Sequence, residues 1–279
     1  MLRLIGRTHR AILGAALAVS LPAVAPRDLQ AQTDYYNTDA GRPLQVEDYL
    51  ALERHGLELQ AAPVRVERGR GGAYTWGVEP ELAWGLLPRT HVELGMPLAS
   101  VDRGAASGGR VGGVAGVDLS LFHQLNVETS LPGLALAGDV LLPMGGLGPA
   151  RAHVSVVGIA TRTTSLARFH ANARYTFGPG SDGSDGAVEL SRWLAGLAVD
   201  HTFALRSVLV GGEVVMREPL DGGREEIAIG VGTRAQLSPR WALDGGIGRR
   251  VTGDEQGWYL TAGTAYAFGL PGLMRRGAR

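Results

Sequence analysis

Catalysis and metal binding need nucleophiles, bases or ligands at workable spacing. Ser155 lies two residues after His153, and Ser120 lies three before His123. Either pair offers the nucleophile and base that a lipid hydrolase would use. Neither sits in a nucleophile motif, and neither has a third residue placed to orient its histidine. Chance adjacency explains both pairs better. His91 and Glu93 share one face of a two-residue repeat and could meet a metal. No HExxH or Cys/His ligand set accompanies them, and the chain has no Cys, so a simple hydrogen bond is the better expectation. "GPGSDGSDG" has the Asp and Gly content of a calcium loop but lacks EF-hand spacing and the terminal Glu, and reads as a surface loop. Gly230 and Gly232 in "IGVGT" imitate a dinucleotide-binding glycine pattern, but no strand-to-helix context follows, so they read as strand glycines. The sequence predicts no catalytic residue, no cofactor and no metal site.

Charged residues instead alternate with apolar ones. From His55 onward the period is two, which means strands. Twelve are predicted, over residues 54–66, 73–85, 89–99, 111–123, 134–143, 151–163, 168–178, 190–203, 207–217, 225–237, 241–251 and 257–268. Trp76, Val78, Leu82 and Trp84 oppose Glu79 and Glu81. Val92, Leu94, Met96 and Leu98 oppose His91 and Glu93. Phe169, Ala171, Ala173, Tyr175 and Phe177 oppose Arg168, His170, Asn172, Arg174 and Thr176. The strand at 151–163 is ambiguous in register. Pro63 and Pro80, inside strand patterns, suggest bulges or edges.

The connections alternate as well. "LLPRT", "LARF", "ALRS" and "LSPRW" are tight, whereas those around Arg70, Ser107, Ser184 and Gly222 are longer and rich in Gly, Asp and Arg. "NVETSLPG" is long for the tight side. Short turns at one end and long polar loops at the other is the layout of an outer-membrane barrel. The expected architecture is an all-β, twelve-stranded antiparallel transmembrane β-barrel over residues 54–268. Residues 32–53 precede it as a periplasmic N-terminal segment, read as polar with one short helical turn. Residues 269–279 form a C-terminal tail.

Alternation alone also fits a soluble lipocalin-like barrel with its apolar face inward. Three features favour apolar-outward. Residues 1–31 read as a cleaved signal peptide: Arg3, Arg7 and Arg10, an apolar run from Ala11 to Val24, and a small residue at Ala31. No later stretch approaches the roughly 20 apolar residues of a spanning helix. Aromatic residues bracket the apolar faces, as with Trp76 and Trp84, Trp193 and Phe203, and Trp258 and Phe268. Finally, Thr261, Gly263, Tyr266 and Phe268 in "TAGTAYAF" resemble the C-terminal assembly signal of bacterial outer-membrane barrels. That resemblance implies the barrel-assembly machinery and outer-membrane lipid as partners. Here, unlike the usual signal, "GLPGLMRRGAR" follows.

With apolar faces outward, the lumen collects Glu79, Glu81, His91, Glu93, Asp118, Asp139, Arg168, His170, Arg174, Arg192, Asp200, Glu213, Arg217, Arg234, Asp244 and Arg250. Arg89 joins them. Acid and base nearly balance, so ion pairs are expected. Overall, Lys and Arg total 27 and Asp and Glu total 27, so nothing calls for nucleic acid. "GRPLQVEDYLALERHGLELQ" resembles the opening of the outer-membrane transporter family associated with the meta pathway of phenol degradation, through Arg42, Pro43, Glu47, Gly56 and Glu58. The resemblance implies passage of small, hydrophobic or aromatic molecules. The functional expectation is passive passage of small solutes across a bacterial outer membrane. The alternatives are a closed structural or interaction barrel and an outer-membrane lipid-modifying enzyme. Residues 33–53 are too polar for lipid, while an Arg-lined lumen could accept Glu47, Asp48 and Glu53. The segment is therefore a candidate partial plug at the periplasmic mouth.

Overall fold

The structure, a computed structural model, describes residues 36–68, 74–102, 109–180, 188, 190–254 and 256–269. The leader peptide, the loop positions Arg70, Ser107 and Ser184, and the tail beyond Gly269 lie outside the described residues.

Twelve strands cross the molecule. They are β1 Gly56–Arg68, β2 Tyr74–Leu87, β3 Thr90–Gly95 continuing as Leu98–Asp102, and β4 Arg110–Val114 continuing as Val117–Gln124. Then follow β5 Gly133–Leu142, β6 His153–Thr163, β7 Arg168–Phe177 and β8 Ser191–Phe203. The last four are β9 Val208–Pro219, β10 Glu226–Ser238, β11 Trp241–Arg250 and β12 Gly257–Gly269. Each pairs antiparallel with the next, and β1 pairs with both β2 and β12. The sheet closes on itself through β1 and β12, and at the long-loop end Arg110–Val114 pairs only with Leu98–Asp102.

The irregularities have local causes. Proline carries no backbone N–H for the ladder. β3 breaks at Met96–Pro97, where the Met96 N–H donates to the Pro80 carbonyl. β4 breaks opposite it, where the Ala115 N–H donates to the Pro97 carbonyl and Gly116 takes φ 134°. The register of β1 shifts between Gln60 and Val64 against β12, and between Ala61 and Val64 against β2. No helical turn forms in residues 36–55; the expected one is replaced by bends and extended chain, because that segment meets the lumen wall at almost every residue.

The outer surface is apolar. Leu94, Leu121, Val156, Leu197, Ile229, Val231 and Leu260 are all exposed on it. Exposed rings mark both rims. Tyr74, Trp76, Tyr175, Phe177 and Trp258 lie toward the long-loop end. Phe169, Phe203, Trp241 and Tyr266 lie toward the short-turn end. In water such a belt would be unfavourable by roughly 25 cal/mol per Å² of apolar surface. Between aromatic girdles it fits the hydrocarbon layer of a membrane. The ambiguous strand also resolves: in β6, His153, Ser155, Val157, Ile159 and Thr161 are buried, while Val154 and Val156 face out.

Candidate functional site: the barrel lumen

Residues 36–55 run inside the barrel. Counting back from β1, Leu52 donates its N–H to His91 Nδ1 at 3.0 Å near the short-turn end. Tyr49 packs with Phe122, Ala135, Ala137, Val157 and Ile159. Glu47 and the Asn172 amide exchange two hydrogen bonds, Glu47 N–H to Oδ1 at 2.8 Å and Nδ2 to the Glu47 carbonyl at 2.9 Å. The N–H groups of Gln45 and Val46 donate to Glu213 Oε2 at 2.7 and 3.0 Å. Leu44 and Val46 pack with Ala198 and Val215. The chain then turns back at Gly41, with φ 86°. Tyr36 returns to the short-turn end, where its carbonyl accepts from Arg168.

The wall makes room by omitting side chains. A Cβ on Gly232 would lie 2.8 Å from the Pro43 carbonyl, and one on Gly246 would lie 2.7 Å from the same oxygen. Residues 43 and 44 rest directly on the β-sheet backbone, an approach that only glycine permits there.

Ion pairs fix the segment. Arg42, 1% exposed, is the hub. It donates to Asp244 at 3.1 Å, Glu58 at 3.1 Å and Asp39 at 2.5 Å. Arg234 donates to Asp39 at 3.0 Å and lies 3.6 Å from Asp244. Arg168 binds Asp200 through two nitrogens, at 2.9 and 2.8 Å, and reaches Asp48 at 3.4 Å. Asp200 also meets His170 at 2.9 Å, and His170 meets Thr161 at 3.0 Å. Burial pushes the Asp39 carboxyl up, but Arg42 and Arg234 outweigh it and hold the group below its ordinary value. Burial would lower Arg42; Asp39, Asp244 and Glu58 reverse that and keep it charged. Asp48 is raised, chiefly by burial, with Arg168 and His170 opposing. Glu47 is pushed up to about 8, first by burial, with Arg174 opposing and Glu93 and Asp139 adding to the rise.

Apart from Arg89, exposed in the β2–β3 turn, and Arg192, at a register shift, the expected lumen residues lie on the inward side of their strands, where they form separate groups. Arg174 pairs with Asp139 at 3.2 Å, Arg217 with Glu226 at 2.6 Å, and His91 with Glu93 at 3.2 Å. Arg250 pairs with Glu67. Glu79 and Glu81 make no hydrogen bond or ion pair among the described residues, and Asp118 keeps one buried oxygen without a partner. Arg192 sits at a register shift of β8 and donates to the carbonyls of Thr176 and Gly178, both at 2.8 Å. Arg89, in the β2–β3 turn, donates to the Leu125 carbonyl. In β12, Thr261 faces in, while Tyr266 faces out, 6.3 Å from the ring of Phe268. Gly263 stands between those two pairs in the strand.

Above residues 40–47 lies a cavity of about 680 Å³, lined by Glu47, Arg65, Glu79, Arg174, Arg217 and Tyr259 and reaching Arg68, Asp102 and Arg250 at the long-loop end. Below it, between residues 38–50 and the wall at Gln60, Glu81, His91, Glu93 and Phe122, a slit of about 40 Å³ remains. Ala40 and Glu47 line both spaces. One water needs roughly 10–15 Å³ of such space, so the slit holds only a few.

No protein-family model matches the chain. No curated protein matches it either. Solved structures do. An outer-membrane channel from Pseudomonas putida F1 aligns with TM-score 0.54 and 14% identity over 79% of this chain and 98% of its own. NanC porin aligns with TM-score 0.52 and 6% identity over 75% and 98% of the two chains. KdgM porin aligns with TM-score 0.50 and 11% identity over 76% and 99%. The fold is that of an outer-membrane β-barrel. In that fold the alternation of faces is lipid against lumen.

The hub was not visible in the sequence as chemistry. Arg42 stood out there only through a family resemblance, and Glu58 with it. Glu47, Asp48 and Glu53 were expected to meet lumen arginines. Asp48 meets Arg168, but Glu53 is exposed and Glu47 makes no direct ion pair. The dominant anchor has the opposite polarity, a basic side chain entering a cluster of acids. One Ser/His pair is broken apart, while His153 and Ser155 share the buried inward face of β6. Ser155 Oγ lies 2.9 Å from Thr176 Oγ1, and the outward-facing His123 lies 2.9 Å from Thr90 Oγ1 while Ser120 points the other way.

Proposed function

We propose that this barrel is a passive channel for small solutes in a bacterial outer membrane, with residues 36–55 as a partial plug. The observation that carries the reading is the 680 Å³ cavity, lined by both charged and apolar side chains, together with the slit below it that shares Ala40 and Glu47. A barrel serving only as a scaffold has no need of such a space. The plug rests on ion pairs, glycine contacts and two small apolar clusters, with no β-ladder to the wall. It can leave without unravelling the barrel. The porin neighbours support passage of small solutes, and the resemblance at Arg42, Pro43, Glu47, Gly56 and Glu58 supports hydrophobic or aromatic cargo. A rigid aromatic ring exceeds the slit, so such cargo needs the plug displaced. Tyr36 and Gly269, the first and last described residues, lie at the short-turn end, which is read as periplasmic. Export by the leader peptide and insertion through the Thr261–Phe268 signal belong to the same reading.

The placement of Ser120 and His123 on opposite faces, and of Ser155 and His153 inside the barrel rather than on its outer wall, weighs against the lipid-enzyme alternative. The direct test is swelling of liposomes that contain the mature protein, in small neutral and aromatic solutes. Uptake above protein-free liposomes supports the channel. Uptake equal to the blank for every solute supports the closed structural barrel instead. Orientation is checked by cysteine labelling of intact cells: Gly222→Cys should react and Ser238→Cys should not.

A further inference from the structure

We propose that the slit beside the plug selects cations over anions, with Glu47 and Glu81 as the residues that set the preference. The inference rests on the channel reading above and adds the charge class of what passes when the plug is in place.

Five carboxylates line the slit: Asp39, Glu47, Asp48, Glu81 and Glu93. No arginine lines it. Three of the five have partners: Asp39 has Arg42 and Arg234, Asp48 has Arg168, and Glu93 has His91. Glu47 comes from the plug and Glu81 from β2, so acid without a direct ion-pair partner faces the slit from both sides. A second feature points to the same occupant. Thr38, 2% exposed, lines the slit with a buried hydroxyl oxygen that has no hydrogen-bond partner. A water or a partly dehydrated cation supplies that partner, whereas an anion would face the carboxylates. The vestibule above is different: Arg65, Arg68, Arg174, Arg217 and Arg250 balance its acids. Discrimination therefore sits at the slit, where rings of Asp and Glu in a narrow, low-dielectric passage favour cations.

The groups facing Glu47 are Arg174 from β7, Asp139 from β5, Glu93 and His91 from β3, Glu81 from β2 and Asp39 from the plug itself. Burial delays ionisation of Glu47 to about pH 8, so cation preference should rise as pH increases through that value.

The test is the reversal potential of the mature protein in planar bilayers across a KCl gradient, from pH 6 to pH 9. The expected result is a several-fold preference for K⁺ over Cl⁻ that grows with pH. In Glu47→Gln/Glu81→Gln it should fall toward the free-solution ratio while the barrel keeps its folded mobility on gels. Glu81→Arg should move the reversal potential further, toward Cl⁻. A conducting wild type that prefers Cl⁻ or neither ion overturns this inference and leaves the channel reading intact, as does a double variant with unchanged selectivity. No conductance from any variant overturns the channel reading and this inference with it.

Discussion

Strands β7–β12 and strands β2–β4 line the same lumen but handle charge in opposite ways. On β7–β12, each inward acid at the level of the plug meets a base or a backbone N–H: Asp200 has Arg168 and His170, Asp244 has Arg42 and Arg234, and Glu213 has the amides of Gln45 and Val46. The glycines that admit Pro43 lie on the same side. On β2–β4, Glu79 and Glu81 have no direct partner and Asp118 is only partly satisfied. The first region is built to hold a segment, and the second to leave a wet acidic path beside it. A buried ion pair is retained only when its geometry is good, and losing one partner costs far more than the pair contributes. Docking on β7–β12 should therefore be strong yet fragile to single changes, while changes on β2–β4 should alter what passes.

The largest effect is expected from Arg42→Ala. It leaves Asp39, Glu58 and Asp244 facing one another around an empty site. Removing one partner of a buried network typically costs about 3–5 kcal/mol. The plug should leave the lumen, seen as higher conductance and as proteolysis within residues 36–50, with barrel mobility on gels unchanged. Unchanged conductance would mean that the glycine contacts hold the plug alone.

Val231→Arg comes next and tests the other side of the wall. Val231 is 57% exposed and lies one residue before Gly232 and three before Arg234 in the same strand. An arginine there should destabilise the whole barrel by about 2–4 kcal/mol near the membrane midplane, measured by urea unfolding in lipid vesicles. A neutral result would mean that this face does not contact lipid.

Gly232→Val is milder and more local. The new Cβ meets Pro43 backbone at 2.8 Å while every ion pair of Arg42 stays available. The plug should shift, and conductance should rise less than in Arg42→Ala. An equal rise would move the weight of docking from charge to close packing.

The smallest effect is the pH dependence of docking. Glu47 has a docked value of about 8 against an ordinary 4.5, raised first by burial. Its contribution to docking is fully present below the ordinary value and is lost as pH rises through about 8. Asp48, also raised by burial, acts in the same direction. Asp39, lowered by Arg42 and Arg234, contributes above its ordinary value and loses that contribution as pH falls through the lowered one. With the plug still seated by the ion pairs of Arg42 and Arg168, conductance should be lowest in mildly acidic solution and increase modestly toward pH 9, the increase carried by K⁺. Glu47→Gln should flatten the alkaline rise.

The comparison also shows what a sequence reveals. Strands and faces were legible because side-chain alternation is local: Phe169 opposite His170, or Trp258 opposite Tyr259, announces an inside and an outside. The partners inside were not. Arg42 and Asp244 are 202 positions apart, and nothing near either one marks the other. Gly232 looked like an ordinary strand glycine because its reason is a proline from another part of the chain, which Gly246 also meets. Arg192 was read by parity alone, and one register shift in β8 sent it to backbone carbonyls. Tyr259 and Asn172 act through contacts with residues 45 and 47, so their roles stood out only once those residues were placed.

The most direct measurement is the single-channel conductance of a mature barrel that lacks residues 36–50, compared with the intact protein in the same bilayer and salt. The deletion removes the hub, the glycine contacts and both plug-side walls of the slit, but keeps Leu52 to Gly56 leading into β1. If residues 36–50 are the plug, conductance rises well above that of the intact chain and the K⁺ preference falls, with insertion unimpaired. If the shortened barrel inserts normally and conducts just as the intact one does, the segment is only a tether and the account is wrong.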